Sequence, residues 1–277
     1  MKDANRNLAV RVVTAIVLFP VAVWLTWLGG LPFAAVVGLA AAISAAELVT
    51  MFDRRLGLTG VLGIGGAALL PLAAWARGPG GPGASPEGVA LALAGGTLAL
   101  LVAALFRAGA LEEAPRAAAV ATLAWAYAGL LPASVVALRV RFGWAWVLLL
   151  FVVSWANDTL AYFAGRAFGR HKLLERISPK KTWEGFWGGA AGSVGGALVV
   201  KALFLPHLSI PAAVLVGAGA AFLGPLGDLC ESMLKRAYGA KDSGWIIPGH
   251  GGVLDRIDSL VFPAPLVYYY ARFFFQH

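Results

Sequence analysis

Nine stretches of apolar residues, each about as long as one membrane-spanning helix, dominate this chain of 277 residues. A helix needs roughly 20 mainly apolar residues to cross a bilayer. The stretches lie at 8–28, 32–52, 57–76, 88–106, 117–138, 143–165, 185–204, 209–227 and 258–275. Because 60% of the residues are apolar and only 13% are charged, a water-soluble globule could not bury so much apolar surface. We therefore predict an all-α, polytopic integral membrane protein with about nine transmembrane helices.

Small residues are frequent in several of these stretches, as in Gly188-Gly189-Ala190-Ala191-Gly192. They let membrane helices approach closely, so the composition favours a tightly packed bundle. Charged residues are instead concentrated in two polar segments, 166–184 and 228–258. We interpret residues 1–142 as a region of about five N-terminal spans, and residues 143–277 as a C-terminal region that carries both polar segments.

The two polar segments are separated by two predicted spans, so both are expected on the same side of the membrane. Cytoplasmic loops carry an excess of Lys and Arg. In the nine-span arrangement this side holds 17 of the 22 Lys and Arg residues, and the other side keeps only Arg77, Arg139, Arg141, Lys201 and Arg272. We therefore expect a multi-pass protein of the cytoplasmic (inner) membrane with both polar segments in the cytoplasm. The net charge of +8 fits such loops and anionic lipids better than it fits nucleic acid.

Three aspartates in the second polar segment are candidate metal ligands. Asp255 and Asp258 are three residues apart, which places both carboxylates on one face of a helix, and Asp228 follows the eighth apolar stretch. The bases between Asp228 and Asp255 are Lys235, Arg236 and Lys241. Such a set suits a Mg²⁺–polyphosphate site, since Mg²⁺ is usually held by one or two carboxylates together with substrate phosphates. The alternative is that these charges form interfacial salt bridges and anchors around an ordinary turn.

A glycine-rich loop, Pro248-Gly-His-Gly-Gly252, precedes Asp255. The backbone at Gly251 and Gly252 can approach a ligand closely because neither residue has a side chain. His250 could contact phosphate or act as an acid, although a single histidine in a loop often does neither.

Two acidic residues lie within predicted spans. Asp158, in the sixth stretch, is a functional candidate because an ionised group inside a membrane is costly. The alternatives are a structural pair with Arg166 or capping by hydroxyl groups. Glu47, in the second stretch, is interpreted as a structural hydrogen-bond partner rather than as a catalyst.

The first polar segment ends in Ser178-Pro179-Lys180-Lys181-Thr182, directly before an apolar helix. Ser178 and Thr182 are predicted N-caps, and Pro179 suits a first helical turn. The free N–H groups and the dipole at a helix N-terminus attract phosphate, so Lys180 and Lys181 are predicted to bind phosphate there. Anchoring of both amines at the membrane interface is the alternative.

Together these motifs resemble one enzyme family. The run from Ser232 to Asp258 resembles the C-terminal signature of the phosphatidate cytidylyltransferases, or CDP-diacylglycerol synthases: S-x-hydrophobic-K-R, four residues, K-D, a small residue, then P-x-H-G-G and D-R-x-D. The upstream runs Asn157-Asp158…Gly165-Arg166 and Ser178–Gly185 are also similar to that family. The resemblance implies a nucleotidyltransferase that converts CTP and phosphatidate to CDP-diacylglycerol and pyrophosphate for phospholipid synthesis, with its catalytic region in residues 143–277.

The resemblance also implies roles for individual residues. Mg²⁺ would be the cofactor, with Asp228, Asp255 and Asp258 as its ligands. The residues expected to hold the CTP phosphates are Lys235, Arg236, Lys241 and Arg256, and those expected to hold the triphosphate or the lipid phosphate are Ser178, Lys180 and Lys181. His250, Gly251 and Gly252 would contact substrate, and Asp158 would belong to the site without an assigned role. The expected partners are CTP, phosphatidate, membrane lipids and a second copy of the chain in a homodimer, but no nucleic acid.

A polytopic transporter of an anionic solute is the alternative from another class. It would explain the spans, the basic loops and Asp158, but it predicts charges near mid-membrane in two related halves. The acidic residues instead crowd into the second half, near one membrane face. A CDP-alcohol phosphotransferase is a second enzyme alternative, but its D-G-x-x-A-R…G-x-x-x-D-x-x-x-D pattern is absent from the sequence.

Overall fold

The fold is a set of apolar helices joined by short connections. A computed structural model describes residues 20–52, 56–76, 78, 86–107, 109–246 and 251–275. Residues 20–28 are helical. The α-helices that follow are α1 (Gly30–Phe52), α2 (Leu58–Ala76), α3 (Pro86–Leu105), α4 (Glu113–Ala124), α5 (Leu131–Phe142), α6 (Trp144–Phe168), α7 (Trp183–Phe204), α8 (Ile210–Ala237), α9 (Leu254–Val261) and α10 (Pro263–Phe274). A π-helical turn, Trp125–Leu130, joins α4 to α5. The all-α prediction is confirmed, since the sheet in these described ranges is a single hairpin of β1 (Lys172–Leu174) and β2 (Ser178–Thr182).

Six helical segments of the described chain are long and apolar enough to cross a membrane: α1, α2, the continuous run Glu113–Phe142, α6, α7 and α8. The protein is therefore a multi-pass membrane protein, but the count of nine spans is not confirmed. Most of the predicted span 8–28 lies outside the described residues. The apolar helix Ala90–Leu105 is shorter than these six. The predicted span 258–275 is divided between α9 and α10 at Pro263, whose ring removes a backbone N–H donor.

The chain forms two compact units. The first contains the described residues up to Arg141 together with Asp242–Arg256, and the second contains Phe142–Lys241 and the described residues from Ile257 onward. In the first unit α1 packs closely on α2, since a Cβ at Gly38 would lie 2.9 Å from the Ala68 carbonyl oxygen.

The second unit is built on close contacts between α6, α7 and α8. A Cβ at Gly192 of α7 would lie 2.5 Å from the Ala156 carbonyl oxygen of α6, so only glycine fits without a backbone shift. On the other side of α7, the buried Ser193 hydroxyl donates to the Gly217 carbonyl of α8 at 2.8 Å. The predicted tight packing through small residues is confirmed for these helices.

Candidate active site

A cavity of about 530 Å³ opens in the second unit between α6, the hairpin, α7 and α8. Cavities that bind small molecules typically measure roughly 300–1,000 Å³. Its charged lining residues are Asp158, Arg166, Lys180, Lys181 and Asp228. Four of these five were predicted from the sequence as members of one site. The cavity therefore joins the first polar segment to the beginning of the second.

The hairpin that carries Lys180 and Lys181 is fixed to the start of α7. Antiparallel pairing aligns Lys172 with Thr182 and Leu174 with Ser178. Glu184, in the first turn of α7, accepts the backbone N–H groups of Arg170 and His171 and lies 2.6 Å from the His171 ring Nδ1. These contacts hold the hairpin against the helix that follows it.

This geometry corrects part of the capping prediction. Thr182 is the N-cap, since its hydroxyl accepts the Gly185 N–H at 3.1 Å. The predictions of a cap at Ser178 and of a first helical turn at Pro179 were wrong, because Ser178–Thr182 is a β-strand paired with β1. Lys180 and Lys181 thus lie on a strand before the helix rather than in its first turn.

Lys181 joins the hairpin to α8. Its Nζ lies 2.7 Å from Asp228 Oδ2 and donates to the Pro225 carbonyl at 3.3 Å. The other carboxylate oxygen of Asp228 accepts the Ser232 hydroxyl at 3.2 Å. An amine that only anchored the hairpin would extend toward lipid headgroups, whereas the Lys181 amine is directed into the cavity and is held beside a carboxylate.

A proline inside α8 explains how α6 aligns with that helix. Pro225 has no N–H to donate to the carbonyl of Ala221, four residues earlier. The buried Asn157 of α6 supplies this bond, with its Nδ2 donating to that carbonyl at 3.3 Å. The neighbouring Asp158 is thereby placed at the cavity. Its Oδ2 accepts the Ser259 hydroxyl at 2.9 Å, which agrees with the hydroxyl-capped alternative.

Asp258 is buried next to these acidic groups. The close approach of α8 depends on Gly227, where a Cβ would clash with the Asp258 carbonyl. Asp258 lies outside the six candidate spans and is only 7% exposed. Burial and then the Asp228 and Asp158 carboxylates raise the pKa of Asp258 well above its usual range, while the Ser259 N–H and Lys235 oppose this rise. Burial and the two neighbouring carboxylates therefore disfavour the charged form of Asp258.

The Asp228 and Asp258 carboxylates could bind a cation whose remaining ligands come from the substrate. In the part of the chain that the structure describes, no group of three or more His, Cys, Asp or Glu side chains could hold a metal ion by itself. Asp228 and Asp258 provide two oxygen-donor groups, and Mg²⁺ commonly uses one or two carboxylates with phosphate and water oxygens completing its shell. The donor chemistry thus suits Mg²⁺ bound together with a polyphosphate, and does not suit a site closed by protein ligands alone.

Asp255 belongs to the first unit, where it holds the glycine-rich loop. Its Oδ2 accepts the backbone N–H groups of Ser243 and Gly252 at 2.9 and 2.8 Å, and lies 2.9 Å from the Ser243 hydroxyl. Gly251 has a φ of +81°, which favours glycine, and a Cβ there would lie 2.7 Å from the same oxygen. The backbone at Gly251 therefore lies close to the Asp255 carboxylate, and its approach to a ligand stays a prediction. His250 lies outside the described residues.

Comparison with known proteins shows the family to which the chain belongs. A family model described as "Cytidylyltransferase family" matches residues 9–274. The chain belongs to this cytidylyltransferase family. It is 36% identical to a phosphatidate cytidylyltransferase of Brucella abortus, over 97% of this chain and 94% of that protein. It is also 47% identical to one of Staphylococcus epidermidis over 45% of this chain and 48% of that protein, and 44% identical to one of Bacillus subtilis over 48% and 50%.

The basic residues assigned to CTP phosphates in this family member lie at and beyond the last turn of α8. That helix continues ten residues past the predicted end at 227, to Ala237. Lys235 Nζ lies 2.6 Å from the buried Glu231, so this amine is part of a structural ion pair. Arg236 donates to the Ala240 carbonyl at 3.3 Å, in the turn that follows the helix. Lys241 and Arg256 are exposed, and the substrate roles of all four remain predictions.

Sequence reasoning missed two features of this cytidylyltransferase site. Arg166 lines the cavity and donates to the Tyr162 hydroxyl at 3.0 Å, whereas we had considered it only as a partner of Asp158. The spacing of four residues between Tyr162 and Arg166 on a predicted helix was the available signal. Glu231, 1% exposed, had no signal other than its spacing from Lys235.

Proposed function

We propose that this protein transfers the cytidylyl group of CTP to phosphatidate, forming CDP-diacylglycerol and pyrophosphate. The observation that carries the proposal is the cavity of the second unit, in which Arg166, Lys180 and Lys181 face Asp158 and Asp228. Bases and carboxylates are both needed there, because two polyanionic substrates must meet with their charges neutralised.

The reaction requires little covalent help from the protein. A phosphate-monoester oxygen of phosphatidate attacks the α-phosphorus of CTP, and the bond from that phosphorus to the bridging oxygen of the β-phosphate breaks. The nucleophile has a second pKa near 6, so it is already largely deprotonated at neutral pH. No strong general base is needed, and catalysis consists of positioning and charge neutralisation.

The side chains of the cavity can divide this work. Lys180 and Arg166 would bind substrate phosphate oxygens at the exposed side, and Lys181 would do so from beside Asp228. Asp228 and Asp258 would hold Mg²⁺, which neutralises phosphate charge when bound. Asp158 would help to exclude a second anion from the carboxylate end and so fix the direction in which the substrates enter.

An amphiphilic substrate suits the remaining lining. Leu173, Phe186 and Ala161 contribute apolar surface to the cavity, and Phe163 of α6 is exposed nearby along the chain. The acyl chains of phosphatidate can therefore stay in lipid between helices while its headgroup enters the cavity. The site would face the cytoplasm, where CTP is found, and the membrane would be the cytoplasmic (inner) membrane.

A homodimer is also proposed, on the family resemblance alone. Mass measurement of the detergent-purified protein by light scattering would test it, and a monomer that retains full activity would contradict it.

The activity is tested with the purified protein in detergent, phosphatidate, Mg²⁺ and CTP labelled at either the α- or the γ-phosphate. We expect α-label in a lipid-soluble product and γ-label in pyrophosphate. Diacylglycerol, which lacks the nucleophilic phosphate, should give no product. Failure of α-label to enter lipid would contradict the proposal, and anion flux in proteoliposomes would then favour the transporter.

A further inference from the structure

A buried carboxylate of the first unit holds the start of α9 from a distant part of the chain. Glu47 of α1 is only 5% exposed. Its Oε1 accepts the Val253 N–H and its Oε2 accepts the Leu254 N–H, both at 2.9 Å. These donors lie at the start of α9, where N–H groups have no partner within the helix. Glu47 thus caps α9 from more than 200 residues away along the chain.

Ser243 links this cap to Asp255. Its buried hydroxyl lies 3.0 Å from Glu47 Oε2 and 2.9 Å from Asp255 Oδ2. The single hydroxyl proton can be donated to only one carboxylate at a time. The backbone N–H of Ser243 donates to Asp255 as well, so both ends of the loop meet at these two acids.

Two glycines make room for Glu47 in this arrangement. A Cβ at Gly244 would lie 2.5 Å from Glu47 Oε1, and a Cβ at Gly252 would lie 2.5 Å from Oε2. The three heavy atoms nearest to such a Cβ at Gly244 all belong to Glu47. The loop backbone is therefore fitted to this one side chain.

We propose that Glu47 is a positioning residue for the reaction: it fixes the backbone at 243–244 and 252–254, and through Ser243 it orients the Asp255 carboxylate. Glutamate suits the role because both of its oxygens accept hydrogen bonds. A glutamine would present an NH₂ group to a backbone N–H and lose one acceptor. The kinetic part of this inference rests on the proposed function, whereas the ordering of the loop does not.

The test compares Glu47→Gln with Glu112→Gln, a matched change at an exposed position of the same unit. A nitroxide is attached at Trp245→Cys, an 88% exposed loop position, in a Cys230→Ser background. We expect Glu47→Gln to increase nitroxide mobility and to lower kcat/KM for CTP by about tenfold or more in inserted protein with a nearly unchanged Tm. Glu112→Gln should change neither quantity.

Two milder variants carry the test if Glu47→Gln does not insert. Ser243→Ala removes only the bridging hydroxyl, and Gly244→Ala places a methyl group against Glu47. Each should raise nitroxide mobility and lower kcat/KM. In a Glu47→Ala background, Gly244→Ala should add little, because the group it crowds is gone.

The outcomes separate the two proposals. Unchanged mobility in folded Glu47→Gln would overturn the inference, and so would increased mobility with unchanged kcat/KM, since Glu47 would then be structural only. A wild-type protein that forms no lipid-soluble cytidine product would contradict the proposed function. In that case increased mobility in the variant would still support the anchoring of the loop, and unchanged mobility would overturn it.

Discussion

Lys181 of the first polar segment forms an ion pair with Asp228 of the second, with Nζ 2.7 Å from Oδ2. Both side chains are partly exposed, Lys181 at 24% and Asp228 at 36%. Lys181 can therefore leave Asp228 to bind a phosphate, and Asp228 can then bind a cation. A pair in this state is weak as a stabilising contact, since partly solvated ion pairs contribute about 0–1 kcal/mol. Its position in the cavity favours a role in binding.

Removal of the hairpin lysines should affect substrate more than folding. We expect Lys180→Ala to lower kcat/KM for CTP or phosphatidate about tenfold, since this amine is exposed in the cavity. Lys181→Ala should cost at least as much, because Asp228 also loses its partner. The measurement is kcat/KM for both substrates at matched protein levels, with Lys201→Ala in α7 as the control. Unchanged values for both substrates would remove these lysines from the site.

Loss of charge at Asp228 should impair turnover. Asp228→Asn keeps the shape of the side chain but weakens cation binding, so we expect kcat to fall at least about 100-fold, or about 2.7 kcal/mol. Asp258→Asn should act on the same cation, and the double variant should cost less than the sum of the two. The measurement is kcat as a function of Mg²⁺ concentration for each variant, with thermal unfolding followed in parallel. Wild-type turnover and Mg²⁺ response in folded Asp228→Asn would exclude it as a ligand.

Asp255→Asn separates charge from loop support. The amide oxygen of asparagine can still accept the Ser243 and Gly252 N–H groups, so the loop should keep its conformation. If the charge is needed for Mg²⁺ or phosphate binding, kcat should fall at least about 100-fold at nearly constant Tm. A lower Tm with wild-type turnover would instead assign Asp255 to the loop alone.

At the scale of elements, the site depends on how closely α6 and α7 pack. Glycines on the α6-facing side of α7 bring the two helix backbones together, and the cavity is lined by the C-terminal part of α6 and the first turn of α7. The hairpin that bears the lysines connects these same two helices. A change in their separation would therefore move the lysines relative to Asp228 of α8.

One pair of substitutions on α7 tests this dependence. A Cβ at Gly192 would lie 2.5 Å from a backbone oxygen of α6, whereas a Cβ at Gly195 has nothing within 4 Å. We expect Gly192→Ala to destabilise the protein by about 1–3 kcal/mol, as overpacking does, and to lower activity. Gly195→Ala should be neutral or slightly stabilising, because alanine is the better helix former. Thermal unfolding in detergent measures both, and equal effects would contradict close packing at Gly192.

At the scale of the whole molecule, the order of spans determines which segments share a side of the membrane. The hairpin precedes α7, and the loop after α8 carries the family signature. Two candidate spans separate them, so both should lie on the same side of the membrane, with the connection between α7 and α8 on the opposite side. The positive-inside rule predicts that the shared side is the cytoplasm.

Cysteine labelling measures this topology. Single cysteines at Glu175, Trp245 and His207, all exposed, are placed in a Cys230→Ser background. With an impermeant thiol reagent, we expect residues 175 and 245 to be labelled in inverted vesicles and residue 207 in intact cells. Labelling of 175 and 245 from opposite sides would contradict the two-span separation and the cytoplasmic placement of both segments.

Membrane character, helix content and family membership could be predicted from the sequence because each depends on local composition or on a contiguous motif. Thr182 as an N-cap and the helix through Asp255 and Asp258 follow from the same local rules. The strand at Ser178–Thr182 could not be predicted, because it exists only through pairing with β1. Nor could the end of α8 at Ala237, since the buried Glu231–Lys235 pair lets polar residues continue the helix.

The sequence by itself determined that this chain lies in a membrane and which charged residues gather into polar segments. Both properties depend only on residues that are neighbours in the chain. Only the tertiary structure decided the partners of those charges. Lys181 contacts Asp228, Asn157 completes the backbone bonding of α8, and Glu47 caps the helix that carries Asp255. The physical reason is that a hydrogen bond or ion pair requires two groups within about 3 Å. For residues far apart in the chain, that distance is set by helix packing and not by their spacing in the sequence.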